Sequence, residues 1–81
     1  MRIDKFLKIS RLIKRRTVAN EACDKGRVMI NDKIAKASAE VKKGDIISIV
    51  MGERVLKAEV LDPDTTHVTK ENAPLMYRQL D

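Results

Sequence analysis

From the start of the chain the apolar residues Ile3, Phe6, Leu7 and Ile13 recur at helical spacing, with Ser10 between them. At about 100° per residue they gather on one side of a helix, while Arg2, Lys5, Lys8 and Arg11 fall on the other. Ile9 and Leu12 fit this stripe poorly, so the helix is expected to end soon after Ile9. Lys14, Arg15 and Arg16 then form a basic connection to Thr17, whose hydroxyl suits an N-cap because it can accept an orphan backbone N–H. A second helix is predicted from about Val18 to Lys25. Val18, Ala19, Ala22 and Cys23 share one arc of it, Asn20, Glu21 and Asp24 the other, and Gly26 stands where a left-handed C-terminal cap is wanted.

After Gly26 the period changes to two. Val28 and Ile30 alternate with Arg27 and Met29, and Asn31-Asp32 tolerates the positive φ of a tight hairpin turn, with a short return strand at Ile34. Val41 to Asp45 reads as a further turn. Ile46 to Met51, apolar and rich in β-branched residues, suits a strand buried on at least one face. Gly52 and Glu53 interrupt it, and Arg54 to Leu61 alternates again, with Leu56, Ala58 and Val60 opposite Val55, Lys57 and Glu59. Asp62-Pro63-Asp64 closes this unit. Thr65 to Asn72 is expected to be a loop, and Asn72 to cap a short docked helix that presents Leu75, Met76 and Leu80. The predicted fold is α+β, two short helices on a small, mainly antiparallel sheet: a domain over 1–62 and a C-terminal loop and short helix over 63–81.

Composition narrows what such a fold can do. The chain has 81 residues, and a domain of this size buries only about 60% of the surface its unfolded chain exposes. A shaped catalytic cleft or cofactor cavity is hard to spare, so no enzymatic activity, small-molecule substrate or cofactor is expected. Seventeen Lys and Arg against twelve Asp and Glu give a net charge of +5, which favours a polyanionic partner. The charge is polarised along the chain: residues 1–16 carry a net +6, residues 17–43 a net +2, and residues 44–81 a net −3.

The ordered set of a short basic helix, a basic corner, a second helix, Gly26-Arg27-Val28-Met29-Ile30-Asn31 and Val41-Lys42-Lys43-Gly44-Asp45-Ile46-Ile47 resembles the RNA-binding domain named after small-subunit ribosomal protein S-four, the alpha-L motif. The likeness covers roughly Arg2 to Leu61. It implies that the two helices and their connection form an RNA-binding face held in place by the sheet. Lys8 to Arg16, Ala35-Lys36-Ala37-Ser38 and Met76-Tyr77 extend it to most of the chain, which resembles the RqcP family of bacterial ribosome quality-control factors. That resemblance implies binding to rRNA and tRNA on large ribosomal subunits obstructed by peptidyl-tRNA, and support for C-terminal tailing by an RqcH-type partner. A related heat-shock family, which recycles nascent chain–tRNA complexes, typically continues into a longer basic tail.

The candidate RNA-binding residues are therefore Arg2, Lys5, Lys8, Arg11, Lys14, Arg15 and Arg16, with Asp4 as a residue that orients a neighbouring Arg or favours the helix N-terminus. Arg offers a planar fork to phosphate and Lys a mobile point charge. Only Phe6 and Tyr77 are aromatic, so recognition by backbone and shape is expected rather than base stacking. Lys33, Lys36, Lys42 and Lys43 read as ordinary surface lysines. Cys23 falls on the apolar arc, with no second cysteine for a disulfide or metal pair, and His67 sits in a polar loop with no ligand pattern. A membrane surface is disfavoured because Phe6 and its neighbours are needed for the core. A cytoplasmic monomer is expected. From another class, a protein-interaction adaptor whose acidic C-terminal half docks a partner remains an alternative.

Overall fold

The structure, a computed structural model, describes residues 1–63 and 76–80. Helix α1 (Ile3–Ile9) opens without a side-chain cap at Arg2. A neighbouring loop serves its orphan donors instead. The Ile3 and Asp4 N–H groups donate to the Ala39 and Ala37 carbonyls at 2.7 and 3.3 Å. Beyond Ile9 the buried Ser10 hydroxyl turns back to the Leu7 carbonyl, at 3.3 Å. Arg11 then takes a left-handed φ of 65°, which ends the helix. The Ile13 N–H returns to the Leu7 carbonyl at 3.0 Å, and Ile13 packs on the core from outside the helix.

Helix α2 (Arg16–Asp24) corrects one expectation. Its N-cap is Arg15, in extended backbone with no side-chain cap, and Thr17 is an exposed residue of the first turn. The helix starts earlier than Thr17 because the Arg15 carbonyl already accepts the Ala19 N–H, at 3.1 Å. The far end agrees with expectation. Gly26 has φ 70°, its N–H donates to the Cys23 carbonyl at 3.0 Å, and the Arg27 N–H to the Ala22 carbonyl at 2.9 Å. This is the paired closure of a Schellman motif, whose left-handed position a side chain would strain.

The rest of the described chain is built on five strands: β1 (Val28–Ile30), β2 (Lys33–Ile34), β3 (Ile46–Met51), β4 (Arg54–Val60) and β5 (Tyr77–Leu80). They form one antiparallel sheet in the order β2-β1-β3-β4-β5. Asn31 and Asp32, at φ 51° and 67°, make the hairpin turn between β1 and β2. Asn31 also joins two distant turns. Its Nδ2 donates to Asp45 Oδ1 at 3.2 Å, its Oδ1 accepts the Ile46 N–H at 3.0 Å, and Asp45 Oδ2 accepts the Lys42 N–H at 2.8 Å.

The sheet register places Val28, Ile47, Ile49, Ala58 and Val60 on one face. Against it pack Ile3, Phe6 and Leu7 of α1 and Ala19 and Cys23 of α2, all buried. Each fully buried side chain of leucine size contributes about 1.5–3 kcal/mol, so α1 is held by its apolar stripe more than by its seven residues of helix.

The closing segment differs from expectation. Tyr77–Leu80 is a strand, not a helix, and pairs with β4 from Tyr77↔Val60 to Leu80↔Lys57. The open edge of β4 offers a row of backbone donors and acceptors that a short segment satisfies more fully as a strand than as one helical turn. Met76 does dock: it is buried, and its carbonyl accepts the Leu61 and Asp62 N–H groups at 2.8 and 3.1 Å. The predicted Thr65–Asn72 loop, the Asn72 cap, Leu75 and His67 lie outside the described residues.

Candidate nucleic-acid interface

The seven cations named from the sequence are carried by α1, α2, the corner between them and the residue before α1, and all are exposed. Arg2 precedes α1, Lys5 and Lys8 lie on it, Arg11 and Lys14 belong to the corner, Arg15 caps α2 and Arg16 opens it. The fold draws three of the predicted residues into one cluster. Asp4, only 2% exposed, accepts from Arg2 Nη2 at 3.2 Å and from Arg16 Nε and Nη2 at 3.4 Å. The Lys5 backbone N–H donates to it at 2.8 Å, and Asn20 Nδ2 stands at 3.5 Å.

A nearly buried carboxylate thus holds two half-exposed guanidinium groups, one from the residue that precedes α1 and one from the first residue of α2. Burial pushes the Asp4 carboxyl up, yet the hydrogen bonds from Arg16, the Lys5 N–H and Asn20, with the Arg16 charge, outweigh it and keep the group below its ordinary 3.8. The carboxylate is ionised at neutral pH. Each arginine spends part of its donor fork on Asp4 and has no other side-chain partner among the described residues, which fixes its direction without burying it.

A second group forms where α1 ends. Lys8, Arg11 and Lys14, with Ile9, line a small cavity of about 170 Å³. Three cations around one depression attract an anion of phosphate size. Among the described residues no hydrogen bond from the Lys5 or Arg15 side chain ties it to either group; Arg15 stands at the cap position of α2.

The sequence places Asn20 only on the polar arc of the second helix and gives it no role at the site. It stands four residues after Arg16, so it shares that residue's face of α2, a spacing visible in the sequence. What the spacing lacks is Asp4, which meets this face only in the folded chain. Cys23 is buried as expected, and its thiol is pushed up to about 11 by burial and by the Asp4 and Asp24 charges. Lys33, Lys36, Lys42 and Lys43 are exposed. Among the described residues no cluster of His, Cys, Asp and Glu could hold a metal ion, and no helix is long and apolar enough to cross a membrane.

The S4 domain family model matches residues 1–47, more than half of the chain and all of the cation face, so the class is that of S4-domain proteins. Among curated relatives, the RQC P-site tRNA stabilizing factor of Bacillus subtilis is 51% identical over 78 residues, covering 95% of this chain and 88% of that protein. Its counterpart in Halalkalibacterium halodurans is 48% identical over 77 residues, covering 95% and 86%. The chain belongs to the family of RQC P-site tRNA stabilizing factors. A trimeric structure of Vibrio cholerae heat shock protein 15 superposes with a TM-score of 0.87 at 26% identity, covering 99% of this chain and 81% of that one.

Proposed function

We propose that this protein is a non-catalytic ribosome quality-control factor that uses the α1–corner–α2 face to bind tRNA and rRNA on large subunits obstructed by peptidyl-tRNA. The single observation that carries this reading is the convergence of Arg2 and Arg16 on the buried Asp4 carboxylate, beside the cations Lys5, Lys8, Arg11, Lys14 and Arg15. Seven cations on one helical pair serve a phosphate backbone, and two of them are pre-aimed, which lowers the cost of ordering them on binding. Membership in a family whose members are named for the P-site tRNA supports tRNA as one of the RNAs.

α2 supports the same reading from another side. Lys14, Arg15 and Arg16 stand at its N-terminus, with no acid in its first turn and no side-chain cap. Positive charge there opposes the helix dipole. A choice that works against the helix is expected where the residues serve a partner.

In this reading the protein acts as a monomer in the cytoplasm, holds the tRNA in place, and so permits an RqcH-type partner to extend the stalled chain at its C-terminus. Co-sedimentation with empty and with peptidyl-tRNA-carrying large subunits tests it, beside the Arg15→Ala/Arg16→Ala double variant. Preferential, salt-sensitive binding to the tRNA-carrying subunits that the double variant loses is the expected result. Equal binding to both would reduce the protein to a general RNA binder. A partner-dependent tailing assay separates this role from the heat-shock type of recycling, in which the factor binds but no tail is added.

A further inference from the structure

The back of α2 carries an apolar feature that the cluster around Asp4 does not explain. Val18 and Ala22, four residues apart, share a stripe of α2, whereas Arg16 and Asn20 share another roughly 200° away, at about 100° per residue. On the Val18 side Leu12, Ile13, Val18, Ala22, Ile49, Val50 and Met51 line an open groove of about 350 Å³. Val18 and Met51 remain 48% and 47% exposed, although the sequence places Val18 on the arc expected to face the core. Lys14 and Arg27 complete the lining, and neither forms an ion pair among the described residues.

The lining chooses among possible occupants. Nucleobases take aromatic rings or guanidinium planes as stacking platforms, and the apolar part of this groove is aliphatic throughout. Aliphatic side chains presented at i, i+3, i+4 and i+7 fill a groove of this kind. Two flanking cations call for carboxylates beside that stripe and repel a basic partner. We propose that this groove docks an acidic amphipathic helix of a protein partner, with aliphatic residues on the floor and Asp or Glu against Lys14 and Arg27. Because Lys14 also lines the cavity of Lys8 and Arg11, the docked helix would lie beside the basic corner. A bound protein segment and a bound RNA would then be neighbours on opposite sides of α2.

The test uses the full chain, isotope-labelled, and a synthetic helical peptide with leucines on one face and glutamates on the others. Backbone amide shifts should move at Leu12, Ile13, Val18, Ala22 and Ile49–Met51. The Val18→Glu and Arg27→Glu variants should each weaken binding about tenfold or more, the effect of about 1.4 kcal/mol. Both positions are on the surface, and amide spectra of the free variants check that they fold. The same peptide with lysines in place of glutamates should not bind. Shifts at these residues with an RNA stem-loop but not with the acidic peptide would overturn the proposal and assign the groove to RNA. Shifts that grow with protein concentration alone would assign it to a second copy, and no shift with the acidic peptide would end it. Sedimentation of Val18→Glu with tRNA-carrying large subunits reports on the RNA face separately.

Discussion

Asp4 is a carboxylate withdrawn from water at the start of a helix, and its environment makes a pH prediction. Its carboxyl is held below 3.8, so its stabilising contribution is fully present above that value and is lost as pH falls through the depressed native value. Asp4→Asn removes the charge but keeps the shape. It should cost about 1–3 kcal/mol at neutral pH, less than the ~3–5 kcal/mol of a fully buried broken pair, because both arginines are half exposed. Urea unfolding at pH 7 measures this, and the variant's stability should fall less steeply below pH 3.8 than that of the parent. Its affinity for tRNA-carrying large subunits should drop as well, because Arg2 and Arg16 lose their common anchor. Cys23 offers a second test at this scale. A buried thiol at about 11 is protonated near pH 8, so alkylation of the native protein should be far slower than in denaturant; equal rates would mean that α2 opens readily. The sequence makes the charges of these residues plain, and the burial of Cys23 follows from its arc. The link from Asp4 to Arg16 spans twelve residues and depends on the angle between two helices, which no local pattern specifies.

Elements show where local chemistry and function disagree. Arg15 has the extended backbone of an N-cap residue and no side-chain oxygen to serve as one. Arg15→Ser should therefore raise stability by about 0.5–1 kcal/mol while weakening RNA binding, two changes of opposite sign from one substitution. Thermal unfolding and co-sedimentation of the same preparation check both. A loss of stability would mean that the Arg15 side chain supports the fold. Thr17 has the better capping chemistry, which explains why the sequence places the start of α2 too late: the Arg15 carbonyl, not a hydroxyl, begins the helix. The strands are more legible. Period-two alternation from Arg54 predicts β4, the β-branched run from Ile46 predicts β3, and the turn residues Asn31 and Asp32 do take positive φ. The clamp from Asn31 to Asp45 is not legible, because it joins two turns across the sheet. Tyr77–Leu80 misleads for a related reason. Four residues hold too little period to decide between helix and strand, and the edge of β4 decides for them.

At the scale of the whole molecule, sequence polarity becomes spatial polarity. The net +6 of residues 1–16 lies on the helical side, whereas the described residues after Lys43, which supply β3, β4 and β5, carry three Lys and Arg against four Asp and Glu, a net −1. If affinity depended on net charge alone, removing any two exposed cations would have the same effect. If the helical face meets the phosphates, position matters. Each lost phosphate contact should lower the slope of log affinity against log salt by about 0.7–0.9, so Lys8→Ala/Lys14→Ala should lower it by about 1.4–1.8. These two are suitable because neither is held by Asp4, and their loss leaves that cluster intact. Arg54→Ala/Lys57→Ala removes the same charge from exposed positions on β4 and should leave the slope nearly unchanged. Salt series of the two variants with tRNA-carrying large subunits make the comparison. Equal reductions would assign binding to overall charge, whereas a reduction confined to Lys8 and Lys14 ties it to the surface where α1 ends and the corner begins.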